Sequence, residues 1–199
     1  TENKQILNIK NAVEIMIDRY REMYLVKNIK INNGVKDTTT ILMSKQALDK
    51  VLSNVVSNAI KYSSEDSSIQ IYDDEEYLYI DNPCKPLSEE AQKNLFKIFY
   101  HTQVINKPQN GTGLGLYIVK NILESYDLEY SFKPYEHGMR FKIRINNKEK
   151  DIYATMMSHL VVEISEKEKI GDKVFLYDDI QQLHNYVKYF GPNSVQLAA

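Results

Sequence analysis

Apolar and polar residues recur along this chain with two periods, and the periods assign most of the elements. Val13, Met16, Ile17, Tyr20 and Tyr24 return every three or four positions, which predicts an amphipathic helix over 11–27. Residues 29–32 read as a short strand. A longer run of the helical kind, Leu48, Val51, Leu52, Val55, Val56, Ala59 and Ile60, predicts a helix over 45–62 with Ser44 as its N-cap. Residues 63–68 are a polar loop. Residues 68–72 and 77–81 alternate as strands do, and the acidic stretch Asp73, Asp74, Glu75, Glu76 joins them as an antiparallel pair. A proline-containing stretch, 82–87, opens a helix over 88–99, with Ser88 as cap and Glu89 and Glu90 in its first turn. Residues 101–110 have no period and read as a mobile loop. A further helix ends near Tyr126, followed by strands over 129–133 and 139–145 around a bend at Glu136, His137 and Gly138. This order predicts an α+β fold, a two-layer α/β sandwich with helices on one face of the sheet.

Composition narrows the function classes. With 199 residues the chain has room for one main domain and a smaller appendage. Lys and Arg number 25 against 27 Asp and Glu, so no global field draws the chain onto nucleic acid or an anionic bilayer. The single cysteine, Cys84, excludes an internal disulfide and a cysteine-rich zinc site, and reads as a small buried hydrophobe. There is neither an apolar run of roughly 18 residues nor a basic start followed by an apolar stretch. The expectation is therefore a cytoplasmic chain with no membrane segment of its own.

Glycine supplies the first chemical clue. Of seven glycines, three stand in Gly111-Thr112-Gly113-Leu114-Gly115-Leu116, directly before the apolar helical positions Val119, Ile122 and Leu123. Glycine serves where backbone needs φ > 0 or a close approach. Here that places a flexible turn at a helix N-terminus, where free N–H groups and the helix dipole attract anions.

On the long helix, Asn54 and Asn58 are four residues apart and share a face, with Lys61 and Tyr62 one turn on. Two amides within an apolar helix need partners. One reading gives them a hard cation with phosphates, an amide oxygen toward Mg²⁺ and Lys61 toward a phosphate oxygen. The other gives them a loop to cap or solvent to face. Asp81, ending a strand before Asn82-Pro83, is either an acceptor reaching into a cleft toward an exocyclic amine or a turn-forming residue before proline.

Taken in order, Asn54-x3-Asn58-Ala59-x-Lys61-Tyr62-Ser63, Asp81, Leu95-Phe96-x-x-Phe99 and Gly111-Thr112-Gly113-Leu114-Gly115-Leu116 resemble the N, G1, F and G2 boxes of bacterial sensor histidine kinases. Those boxes belong to the catalytic, ATP-binding domain, in the superfamily of gyrase B, Hsp90 and MutL, and the resemblance covers about 11–147. It implies ATP and Mg²⁺ as cofactors, Asn58 as the metal ligand with Asn54 one turn earlier, and Lys61 facing phosphate. It also implies Tyr62 on the adenine and Asp81 taking its amino group. Gly111, Thr112, Gly113, Leu114, Gly115 and Leu116 would meet the triphosphate, with Lys107 in the lid. Phe96 and Phe99 would pack the base of that lid or simply fill core. Where hydrolysing relatives carry a glutamate one turn before the metal asparagine, this chain has Asn54, a poor base, which favours phosphoryl transfer over hydrolysis. The implied partners are a phosphoacceptor dimerisation domain and a response regulator.

The chain departs from the family's pattern in places. Asp81-Asn82-Pro83-Cys84-Lys85 lacks both glycines of the usual Asp-x-Gly-x-Gly, and His101, Thr102 and Gln103 stand where lid arginines are common. None of His101, His137, His159 and His184 has the setting of a phosphoacceptor, so the chain alone is not expected to autophosphorylate. It looks like a truncated part of a membrane-anchored parent. The competing expectation is a degenerate interaction module that no longer admits nucleotide. The boundary is expected near 147. Beyond it, 148–199 reads as a strand-rich extension, with strands over 160–164 and 174–177 and a helix over 178–190. Its segments 157–164 and 170–174 faintly resemble part of the C-terminal domain of alanine racemases, without that enzyme's cofactor lysine or barrel.

Overall fold

The computed structural model describes residues 4–74, 76–85, 87–97 and 113–145. The expectations for 148–199, for the loop 101–110 and for 98–99 lie outside the described residues, while the helix expected over 88–99 ends at Asn94 and residues 95–97 are turns. In chain order the elements are β1 (Gln5–Asn8), α1 (Ile9–Arg19), α2 (Arg21–Val26), β2 (Lys30–Asn33), β3 (Thr40–Met43) and α3 (Lys45–Tyr62). They continue with β4 (Ser68–Asp73), β5 (Tyr77–Pro83), α4 (Glu89–Asn94), α5 (Gly115–Ser125), β6 (Tyr130–Tyr135) and β7 (Gly138–Arg144).

Five strands form one sheet in the order β2-β4-β5-β7-β6, with β2 and β4 parallel and every other neighbour antiparallel. β1 and β3 form a separate antiparallel ribbon. The expected two-layer arrangement follows from the side-chain phase of the strands. Ile69 and Ile71 of β4, Leu78 and Ile80 of β5, and Phe141 and Ile143 of β7 share one face and are buried against Val51, Leu52, Val55, Val56, Ala59 and Ile60 of α3. Val13 and Met16 of α1 and Val119 and Leu123 of α5 complete that core. Each such aliphatic side chain contributes about 1.5–3 kcal/mol by leaving water.

Two further expectations are corrected. The single helix over 11–27 is two, because Tyr20 leaves helical geometry (φ −103°, ψ 18°) and its hydroxyl sits 2.6 Å from Ser53 Oγ on α3. The ribbon strands β1 and β3 were not anticipated. Thr40–Met43 is buried at every position, so it shows none of the alternation that marks a half-exposed strand. The helix over 45–62 occurs with the expected bounds, and the Ser44 hydroxyl caps it by accepting the Ala47 N–H at 3.1 Å. Among the described residues, no helix is long and apolar enough to cross a membrane.

α5 lies antiparallel on α3. At one end the Ser44 N–H donates to the Tyr126 hydroxyl at 3.0 Å, and at the other the start of α5 meets Asn54 and Asn58. Ser44 is fully buried, so its N–H has no access to water. Replacing Tyr126 with Phe orphans that donor and is expected to lower stability by about 1–3 kcal/mol in urea denaturation. A change under about 0.5 kcal/mol, the ordinary range of a neutral surface substitution, would mean that this bond does not tie the two helices.

Candidate functional site

The site begins at the close approach of α3 and α5. A Cβ at Gly115 would lie 2.7 Å from Asn54 Oδ1 and 3.7 Å from Asn58 Nδ2, so the first turn of α5 rests against the two amides, and any larger residue there would push the Asn54 side chain aside. The Asn54 amide nitrogen donates to the Lys50 carbonyl at 2.7 Å, which leaves its oxygen turned toward Gly115. The turn entering α5 has Gly113 at φ 69°, a conformation that residues with a Cβ rarely adopt. Leu114 begins the helix without a side-chain cap, and Ile118 is the first residue to return its N–H, to Leu114 at 2.9 Å. The N–H groups of Gly115, Leu116 and Tyr117 therefore precede the first intrahelical bond, and the positive end of the helix dipole lies beside two amide side chains.

At the far end of α3, the Lys61 ammonium sits 5.1 Å from the centroid of the Tyr62 ring, and Tyr62 is 44% exposed. Lys27, from the segment after α2, donates to the carbonyls of Ile60, Lys61 and Ser63 and so caps this end of the helix with a cation. Phe96 meets Tyr130 edge-on, with centroids 5.1 Å apart. Lys107, Gly111, Thr112 and Phe99 lie outside the described residues. Asn54, Asn58, Gly113, Leu114, Gly115 and Leu116 are thus brought to one place, with Lys61 and Tyr62 one turn along the same helix.

Asp81 is not brought to it. Side chains along a strand alternate between faces, and in β5 Leu78 and Ile80 point into the core under α3. Asp81 accordingly points to the opposite face of the sheet, across from its register partner Arg140 on β7. Arg140 Nε donates to Asp81 Oδ1 at 2.6 Å and Arg140 Nη2 to Asp81 Oδ2 at 2.7 Å, while the Tyr72 hydroxyl donates to Oδ2 at 3.2 Å. The guanidinium packs 3.4 Å from the centroid of Tyr135 and 5.0 Å from that of Tyr79. Hydrogen bonding to Asp81 raises the Arg140 pKa, burial opposing it. Burial, reinforced by the hydrogen bond from its hydroxyl to Asp74, pushes the Tyr79 phenol up to about 12. The expected acceptor is therefore the anion of a closed cluster behind the sheet.

The side chain that β5 presents toward the helices at this point is Asn82, which is buried and was missed. The phase of Leu78 and Ile80, continued by two residues, identifies it. Burial raises the pKa of the neighbouring Cys84 thiol, opposed by the polar groups of Asn82 and the Met139 backbone. The Ser64 N–H donates to the Pro83 carbonyl at 2.8 Å, which holds the end of α3 against the end of β5. Ser63, beside it, is buried, and its hydroxyl has no hydrogen-bond partner.

The sequence profile of the histidine kinase-, DNA gyrase B- and HSP90-like ATPases matches residues 43–149. The chain belongs to this family. Among sensor kinases it is similar to the sensor histidine protein kinase HK06 of Streptococcus pneumoniae serotype 2 (strain D39 / NCTC 7466), 47% identical over 145 residues, which are 73% of this chain and 33% of that protein. This chain thus spans about a third of the length of that relative. The fold is also that of the mycobacterial sensor histidine kinase MprB, with a TM-score of 0.61 at 18% identity over 72% of this chain and 97% of that one. The nucleotide-free catalytic domain of the histidine kinase ThkA superimposes with a TM-score of 0.59 at 21% identity, covering 72% of this chain and 96% of that one. The family's ATP-binding domain is therefore present here, on the sandwich described above.

The closed cluster behind the sheet makes a stability prediction. Asp81→Ala leaves a mostly buried guanidinium without its carboxylate and is expected to cost about 2 kcal/mol in urea denaturation. A loss below about 0.5 kcal/mol would show that Asp81 is not held as the anion of that cluster.

Proposed function

We propose that the chain binds Mg·ATP at the junction of α3 and α5 and presents the γ-phosphoryl group to a histidine on a separate phosphoacceptor helical domain. From there a response regulator's aspartate would take it. The observation that supports this reading most is the convergence of Asn54 and Asn58 on the uncapped start of α5, in a member of an ATPase family. Phosphate oxygens suit the free N–H groups of Gly115, Leu116 and Tyr117 and the positive helix end. Asn58, with Asn54 one turn before it, suits a hard divalent cation through its amide oxygen. Among the described residues no three His, Cys, Asp or Glu side chains are grouped to hold a metal, so the donors that fit Mg²⁺ are amide and phosphate oxygens. When bound, the cation would neutralise phosphate charge.

Lys61 would add a positive charge at the phosphates, as would Lys107 from the segment before the glycine turn, while Tyr62 offers its exposed ring to a base. Gly111 and Thr112 would complete the turn over the triphosphate, with Leu114 and Leu116 fixing its approach. No carboxylate stands at Asn54 to activate water, which favours transfer to an acceptor over hydrolysis. The catalytic contribution of this chain is then positioning and charge neutralisation. We place the end of the ATPase domain near 147, with 148–199 as a separate extension. A cytoplasmic place for the domain, within a membrane-anchored parent, agrees with this reading.

Mg·ATP at about 100 times its Kd is expected to stabilise the chain by about 2.7 kcal/mol, read as a rise in melting temperature. Asn58→Ala is expected to abolish that rise while leaving the nucleotide-free melting temperature within about 2 °C, since Asn58 is half-buried and outside the apolar core. No rise for the wild type at millimolar nucleotide would remove the basis of the reading. An undiminished rise for Asn58→Ala would take the metal role from that residue.

A further inference from the structure

The orientation of β5 bears on which base the site accepts. We infer that the purine edge is read by the amide of Asn82 together with the hydroxyl of Ser63, without a carboxylate, so that 6-amino and 6-oxo purine nucleotides are both taken. The inference rests on the nucleotide reading above and goes beyond it to base selection.

Asp81, the one carboxylate at the end of β5, lies behind the sheet with both oxygens bound to Arg140. On the helix face the same strand end offers Asn82, and the Ser64–Pro83 hydrogen bond draws Ser63 up to it. Both residues are 4% exposed. A buried hydroxyl with no partner, as at Ser63, is unusual in a folded protein and points to a group supplied from outside. The group that the Asn82 amide meets is the Cys84 thiol, a weak hydrogen-bonding group that leaves the amide ready for a better partner.

The chemistry of the amide sets the selectivity. An ionised carboxylate only accepts, so it pairs with a 6-amino group and leaves a 6-oxo group facing a second acceptor. A primary amide carries an acceptor and two donors, and a half-turn about its terminal torsion exchanges them. A 6-amino purine then donates to the Asn82 oxygen, and a 6-oxo purine accepts from its nitrogen. The Ser63 hydroxyl, donor and acceptor at once, serves the neighbouring ring position in either case. Sites that select strongly do so by leaving a buried polar group unpaired with the wrong ligand, and this pair leaves none unpaired with either base.

The test is equilibrium binding of Mg·ATP and Mg·ITP to the full chain by calorimetry, since inosine differs from adenine at position 6 without the extra amino group of guanine. The wild type is expected to bind the two within about fivefold, Asn82→Asp to weaken ITP relative to ATP by a further tenfold or more, and Asp81→Asn to leave the ratio unchanged. A preference for ATP beyond about thirtyfold in the wild type overturns the inference, and that ratio decides even if Asn82→Asp does not fold. So does a ratio moved by Asp81→Asn and unmoved in a folded Asn82→Asp, checked by circular dichroism. In both cases ATP still binds and the nucleotide reading stands. Binding of neither nucleotide overturns that reading and this inference together.

Discussion

The close packing of α5 against α3 is the constraint on which the site depends. The two helices run antiparallel, tied at one end by the bond from Ser44 to Tyr126 and meeting at the other where Gly115 lies against the Asn54 and Asn58 amides. The apolar stripes of both helices supply the adhesion through Val55, Val56, Val119 and Leu123. The position of α5 along α3 decides whether its unpaired N–H groups fall beside Asn54 and Asn58 or a turn away. A shift of one helical turn is about 5.4 Å, more than a hydrogen bond can span. The polar chemistry of the site is therefore fixed by apolar packing some distance from it.

The sheet separates two kinds of polar chemistry. Toward the helices, β5 offers Asn82 and the chain after α3 offers Ser63, groups that are buried and weakly satisfied or unsatisfied. On the other face, Asp81, Arg140, Tyr72, Tyr79 and Tyr135 satisfy one another through ion pairing, hydrogen bonds and ring contacts. A network whose members satisfy one another adds rigidity, although Tyr72, Asp81 and Tyr135 also line an open cavity of about 620 Å³ on that face. At the α3–α5 side the unsatisfied hydroxyl of Ser63 lies at the end of α3.

Much of this was legible in the sequence. The 3.6-residue stripe from Leu48 to Ile60 gave α3 its bounds, and the cap at Ser44 gave its start. The asparagines and the glycine turn were legible as one constellation because each is costly or unusual on its own terms. Residue type alone points to Asp81 as the acceptor, whereas the strand phase of Leu78 and Ile80 turns Asn82, and not Asp81, toward the helices. The break at Tyr20 depends on a contact with Ser53 across 33 positions, and β1 and β3 depend on each other. Neither leaves a local period to read. The Ser44–Tyr126 and Ser64–Pro83 bonds are likewise long-range and emerge only once the core has closed.

The central claim is that nucleotide occupies the junction of α3 and α5. Two-dimensional amide NMR of the labelled chain, titrated with Mg²⁺ and a nonhydrolysable ATP analogue, addresses it residue by residue. The account predicts shifts concentrated in the Gly113–Tyr117 backbone and the Asn54 and Asn58 side-chain amides, with Tyr72, Tyr79 and Arg140 behind the sheet unmoved. Shifts centred on that rear cluster, with Gly115 and Asn58 unchanged, would contradict it.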